Sequence, residues 1–427
     1  ALIMRKQTKL VAVLSAAALL AIGASMTSFA AQTGWTEEDG TWVYLDKDGY
    51  KVTDSWKKSG NFWYYLDEDG YMATSKLIDN GDDNNNTYYV DETGRMVANR
   101  WIQLENEDYY DNGDDDDLSE TVWYYFQSSG KAYKTSGETS FKTINGKKYA
   151  FDSEGRMLYG WVNLNSGRET GDQAYQTADY YCGTPDDGAR VDNDWRKLYI
   201  SQPGPDSEDD EYWFYFGANG KKVVNNEKKK INGKYYAFDE NGVMQSKWYI
   251  DTPTVVASEF KGYYSDADSG ARQKGWFQAV PSKNVNPGQN ADDEVKWYYG
   301  NTNGTLVTSE VKSINGKKYA FNDEGVMMSG LWKLAYVQNA DGTYSATKLN
   351  IGACLKIDDT NKVDALRNDE ADISVVYFGS GDDGAMKTGN QTVDVDGETY
   401  AFSFGKDGGS KGKGLVGPKN NYLYVQG

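Results

Sequence analysis

Trp63-Tyr64-Tyr65-Leu66-Asp67-Glu68-Asp69-Gly70 is the stretch whose reading decides the fold. It follows Trp42-Val-Tyr-Leu-Asp-Lys-Asp-Gly49 and precedes Thr87-Tyr-Tyr-Val-Asp-Glu-Thr-Gly94. Looser copies end at Gly130, Gly155, Gly188, Gly220, Gly242, Gly270, Gly304, Gly325, Gly384 and Gly408. The aromatic half alternates at the strand period, with Trp63 and Tyr65 on one face and Tyr64 and Leu66 on the other. Asp-Glu-Asp-Gly then supplies a turn, because Gly tolerates φ > 0 and Asp bonds its own backbone. A second strand precedes each phrase and carries Gly34-Trp35, Ser55-Trp56, Gly160-Trp161 or Gly275-Trp276. A unit this short cannot bury its own apolar face, so stacked neighbours must supply the core. The expectation is an all-β chain, a β-hairpin solenoid of about 13–14 short repeats with roughly three hairpins per superhelical turn.

The two connections of each unit behave differently. The turn after the aromatic phrase stays nearly constant, whereas the connection inside the hairpin varies: Thr36–Thr41, Glu105–Thr121 and Pro281–Val295. All insertions therefore fall at one geometric place and should leave the stacked core undisturbed. A longer period lies above the first. Gly70, Gly155, Gly242, Gly325 and Gly408 are 85, 87, 83 and 83 residues apart. Three short units share nearly the same words: Thr143-Ile-Asn-Gly-Lys-Lys-Tyr-Ala-Phe-Asp152, Lys230-Ile-Asn-Gly-Lys-Tyr-Tyr-Ala-Phe-Asp239 and Ser313-Ile-Asn-Gly-Lys-Lys-Tyr-Ala-Phe-Asn322. Three hairpins per turn would line these short units along one face as a structural spine. Trp332–Ser374 lacks a full phrase, so either one hairpin has decayed there or an insertion replaces it.

Residues 1–30 read as a secretory signal peptide, with Arg5, Lys6 and Lys9 before an apolar run and Ser28-Phe29-Ala30 at the cleavage site. Ala1–Ile3 ahead of Met4 read as an over-extended frame, and the stop within Asn421–Gly427 reads as a C-terminal truncation. The domain reading is 1–30 signal, 31–132 N-terminal repeats, 133–330 continuing solenoid with alternating short and long-loop hairpins, and 331–427 degenerate repeats.

The net charge of −19 becomes −22 once residues 1–30 are removed. Such acidity repels nucleic acid and anionic membrane surfaces, and no second apolar run offers membrane insertion after cleavage. Histidine is absent, which excludes a Ser-His-Asp or Cys-His pair and a His-ligated metal site. The acidic runs that include Asp82, Asp114 and Asp206 lack EF-hand spacing and read as solvated loop tips. No metal, cofactor or catalytic carboxylate is assigned. Cys182 and Cys354 are read as unpaired.

The phrase from Gly34-Trp35 through Thr41-Trp42 to Gly49, with its successor through Gly70-Tyr71-Met72, resembles the cell-wall/choline-binding repeats of Gram-positive surface proteins. Related repeats bind glucan in secreted glucosyltransferases. The Ile-Asn-Gly-Lys-Lys-Tyr-Ala-Phe-Asp units are similar to the oligosaccharide-binding repeats of large clostridial toxins. The resemblance implies ligand held between consecutive hairpins in a cage of two Trp and a Tyr, where ring faces attract a quaternary ammonium. On that basis Trp35, Trp42, Trp56, Trp63 and Tyr65 are the leading ligand-binding candidates, with Trp123, Trp213 and Trp297 secondary. The short units, such as Lys148-Tyr149-Ala150, lack one or two cage walls by this reading.

The functional expectation is a secreted, cell-wall-associated, non-catalytic protein. Its partner is a cell-wall polymer, either teichoic acid choline or a glycan. The alternatives are the targeting region of a wall hydrolase or other surface enzyme whose catalytic domain lies outside this chain, and a structural spacer. The sequence leaves the oligomeric state open.

Overall fold

Each aromatic phrase pairs with the strand before it as an antiparallel hairpin, and the registers follow the sequence pattern. Ser55–Ser59 pairs with Phe62–Leu66, so that Trp56 faces Tyr65 and Lys58 faces Trp63. Gly34–Glu38 pairs with Thr41–Leu45, Lys76–Asp79 with Thr87–Val90, and Arg100–Glu105 with Thr121–Phe126. The computed structural model describes residues 33–79, 85–111, 118–202, 210–249, 262–370 and 373–427. Among these the strands form fourteen small sheets, most of them two-stranded and none closed into a barrel. The leader segment and most of the acidic runs lie outside the described residues. Contacts divide the chain into two units, one ending at Val223 and one starting at Val224.

The turn chemistry is specific. Asp67 Oδ1 accepts the amide N–H groups of Asp69 and Tyr71, both at 2.9 Å, and Gly70 N–H donates to the Asp67 carbonyl. Asp46, Asp91, Asp152, Asp239 and Asn322 repeat the arrangement. The short units close differently. Asn145 and Gly146 have φ of 48° and 79°, the two left-handed positions of a type I′ turn.

Stacking begins at the segment that follows each turn. Met72 N–H donates to the Trp42 carbonyl of the previous hairpin, and Ala73 N–H to the Tyr65 carbonyl of its own, both at 2.8 Å. Met96 and Val97, then Met157 and Leu158, repeat this alternation. Both faces of a hairpin are consequently covered. Tyr64, Leu66 and Met72 pack on Trp35, Trp42 and Tyr44 behind them, while Tyr65 and Trp56 pack on Ile78, Tyr88 and Val90 ahead. This explains why both alternate positions of the phrase are apolar, as in sheets buried on two sides.

The insertions leave the paired strands intact. The Arg100 hairpin keeps its register to Glu105↔Thr121, and a short helix, Glu107–Asp111, follows. The Trp276 hairpin pairs to Ala279↔Lys296 before a helix at Pro287–Ala291, capped by Asn286. Near Trp161 a third strand is added, Gly167–Arg168 beside Trp161–Asn163.

In the Trp332–Ser374 stretch the insertion alternative is the one observed. Leu331–Leu334 still pairs with Ser374–Tyr377. The intervening chain forms a hairpin, Tyr336–Gln338 with Tyr344–Leu349, and a helix at Thr360–Ala365. That extra hairpin adds laterally to the Glu310 strand through Glu310↔Lys348 and packs Leu349 against Val311 and Val376.

Cys182 and Cys354 are both free thiols. Burial pushes the Cys182 thiol up to about 12. No helix among the described residues is long and apolar enough to cross a membrane.

Candidate functional site

Among the described residues, aromatic side chains converge on four sites of one design. Two Trp come from one hairpin, a Tyr from the next, and a Met from the segment that follows that next hairpin's turn. The first site joins Trp35, Trp42, Tyr64 and Met72. The second joins Trp56, Trp63, Tyr88 and Met96, the third Trp101, Trp123, Tyr149 and Met157. The fourth, in the second unit, joins Trp276, Trp297, Tyr319 and Met327.

Local geometry accounts for the recurrence. The first Trp of a site stands on the first strand, and its partner lies two positions from the register opposite it on the second. Trp101 pairs across to Tyr125, and Gln103 to Trp123. This diagonal brings the two indoles to 6.4 Å at 86° in the third site and 6.0 Å at 88° in the fourth. Two near-perpendicular indoles make adjacent walls of a box. The tyrosine closes a third wall: Tyr88 lies 5.2 Å from Trp56, Tyr149 4.9 Å from Trp101, and Tyr319 4.8 Å from Trp276. The methionine is set by the stacking hydrogen bond, Met96 N–H to the Trp63 carbonyl and Met157 N–H to the Trp123 carbonyl, at 2.8 Å each.

The turn of a third hairpin completes the box. Ser129 lines the second site, and Asp186, Asp187 and Gly188 line the third. Gly130 explains why glycine stands at this point. Its φ is +82° and a Cβ there would meet Met96 Sδ at 2.6 Å. The cavities of the second and third sites are each about 220 Å³. That lies below the ~300–1,000 Å³ of drug-sized ligand sites and suits a small headgroup. A cation over a ring face gains about 0.5–2 kcal/mol, according to how far it is desolvated, and two Trp and one Tyr line each of these two cavities.

The structure places the sequence candidates as follows. Trp35 and Trp42 fall in the first site, Trp56 and Trp63 in the second, Trp123 in the third and Trp297 in the fourth. Trp63 is 41% exposed. Trp213 stands 6.2 Å from Trp195 at 90°, the same indole pair as in the complete sites. Tyr65 is buried, packed on Trp56 at 5.1 Å within the stacked core. Neighbouring residues of the phrase, Tyr64 and Tyr88, hold the tyrosine positions of the first two sites.

The short units also differ from the expectation. Tyr149 and Tyr319 each close a box begun by the preceding hairpin, so these units supply a wall rather than lack walls. Trp101 and Trp276 are not among the sequence candidates, although each stands in a first strand as Trp35 and Trp56 do. A legible signal for the fourth wall was present, since Met72, Met96, Met157 and Met327 each stand two residues after a turn glycine.

No group of three or more potential metal ligands occurs among the described residues. Burial pushes the Tyr124 hydroxyl up to about 12, in keeping with its place in the core cluster of Val97, Ile102 and Phe126.

Parts of the chain match known repeat families. Residues 52–101 match the choline-binding repeat family, and residues 122–132 match the cell wall binding repeat family. These two segments are thus similar to choline-binding and cell-wall-binding repeats. It is 27% identical over 294 residues to glucosyltransferase-S of Streptococcus mutans serotype c, an alignment covering 68% of this chain and 14% of that protein. Among solved structures, choline binding protein F of Streptococcus pneumoniae matches 90% of this chain and 99% of its own, at 19% identity and a TM-score of 0.39. The modular autolysin LytC of the same organism matches 73% of this chain and 56% of its own, at 20% identity and a TM-score of 0.38.

Proposed function

We propose that this chain is a non-catalytic attachment protein that binds cell-wall polymer by seating choline headgroups in its aromatic boxes. The observation that carries this reading is the fourfold recurrence of two Trp, one Tyr and one Met, with near-perpendicular indoles in the third and fourth sites and a small cavity in the second and third. A quaternary ammonium has no N–H to donate, so converging ring faces are the chemistry suited to it. The segment 52–101 that matches the choline-binding repeat family contains Trp56, Trp63, Tyr88 and Met96, the three aromatic walls and the methionine of the second site. Attachment through several weak sites at once gives avidity that no single box supplies. The presence of these repeats supports a surface or wall location.

Retention of the full chain on purified choline-bearing walls is the test. Excess free choline is expected to release it, and Trp56→Ala with Trp101→Ala to weaken retention about ten-fold or more through lost avidity. Retention that free choline leaves untouched would remove the choline reading. A polysaccharide is the second ligand class, favoured by the similarity to glucosyltransferase-S. Release by soluble glucan but not by choline would select it. The whole protein's activity beyond attachment, including service as the targeting region of an enzyme, stays part of this proposal, because the chain spans about a seventh of that relative's length.

A further inference from the structure

The second and third boxes share three aromatic walls and a methionine but differ in the turn that closes them. In the second, the turn glycine Gly130 packs against Met96 and the residue before it is Ser129. In the third, Gly188 packs against Met157 in the same way and the residues before it are Asp186 and Asp187. One box is thus closed by a turn bearing a neutral serine and the other by a turn bearing two aspartates. The Asp187 charge reaches into the box, since burial first and the Asp187 carboxylate second push the Tyr149 hydroxyl upward.

No cation among the described residues neutralises these carboxylates. Asp187 Oδ1 accepts only the Ala189 N–H at 3.2 Å, and no salt bridge among the described residues engages Asp186 or Asp187. The basic residues beside Asp187 face other partners. Arg190 pairs with Asp192 and Arg196 with Asp194, each at 2.7 Å, and Lys148 donates to Thr143. Lys147 lines the adjoining groove.

A carboxylate discriminates among ammonium ions in a way ring faces do not. An ammonium that keeps an N–H donates a charge-assisted hydrogen bond to it, whereas a quaternary nitrogen has nothing to donate. The same N–H gains less where the closing turn offers only a neutral serine hydroxyl as acceptor, because a neutral acceptor bonds a cation more weakly than a carboxylate does. Resting on the choline reading of the boxes, we propose that the third box selects N–H-bearing alkylammonium headgroups and that the second selects quaternary ones. In the fourth box the turn is again Asp382-Asp383-Gly384, with Gly384 against Met327, but Lys387 pairs with Asp383 at 2.5 Å. That partial neutralisation ranks its selectivity between the other two.

The test uses the full chain with ¹³C-methyl-labelled methionine, so that Met96 and Met157 report their own boxes in one sample. Choline and protonated N,N-dimethylethanolamine are titrated at neutral pH. The ratio of dimethylethanolamine to choline affinity is expected to be about ten-fold higher at Met157 than at Met96, the size of one charge-assisted hydrogen bond net of desolvation. Asp186→Asn with Asp187→Asn should bring the Met157 ratio down to that of Met96 while the Met72 signal holds its position as the folding control. Equal ratios at the two methyls, or an unchanged ratio in the double Asn variant, overturn the inference and leave the choline reading standing. If choline shifts none of the box methyls, both fall together.

Discussion

Tyr64 and Tyr65 show how much one residue position decides. The sequence marks both as strand aromatics, and the period of two says they face opposite ways. It does not say which face turns toward a site, because stacking covers both. Tyr64 joins Trp35 in a box, while Tyr65 packs on Trp56 in the core. Turn glycines are more legible, since each combines a required backbone conformation with a close neighbour. Gly130→Ala is expected to destabilise the first unit by about 1–3 kcal/mol, through left-handed strain and displacement of Met96. Urea unfolding measures the loss, and a wild-type midpoint would show that the turn relaxes without cost. The same variant should move the Met96 methyl signal even where stability is retained.

At the scale of elements, the Asn-Gly hairpins were readable in full. Asn145-Gly146 between Thr143-Ile144 and Lys147-Lys148 specifies a two-residue loop, and left-handed φ values at both positions follow from twist matching. Replacing both residues with Ala should cost about 2–4 kcal/mol, as each then pays for a left-handed conformation. A thermal melt that does not shift would contradict that turn assignment. What the pattern left unread was the use of these hairpins, because Tyr149 acts only with Trp101 and Trp123 from the preceding one. The insertion between Leu331 and Ser374 was readable as a break in the repeat. Its lateral pairing was not, since Glu310↔Lys348 joins strands that share no sequence signature.

At the scale of the molecule, stability is a chain of nearest-neighbour terms. Phe126 is fully buried in a cluster with Val97, Ile102, Tyr124 and Ala132, and Leu77 and Tyr89 of the hairpin before pack onto it. Phe126→Ala is expected to cost about 3–5 kcal/mol. The loss should stay local. Amide exchange should accelerate at Lys76–Asp79 and Arg100–Glu105 and change little at Gly34–Glu38, three hairpins away from Phe126. Uniform acceleration throughout the first unit would instead mean that the hairpins unfold as one cooperative body.

The sequence by itself determined the repeat, the hairpin, the turn chemistry and the place where insertions are tolerated. All of these depend on residues within about twenty positions of one another, where strand period, Asx turns and left-handed glycines act locally. Only the tertiary structure decided the boxes and their differences. Each box draws on three consecutive hairpins, and its closing turn lies about sixty to one hundred and ten residues along the chain from its first Trp. The contrast of Ser129 with Asp186 and Asp187 acquires chemical meaning only when stacking brings those turns over Trp63 and Trp123.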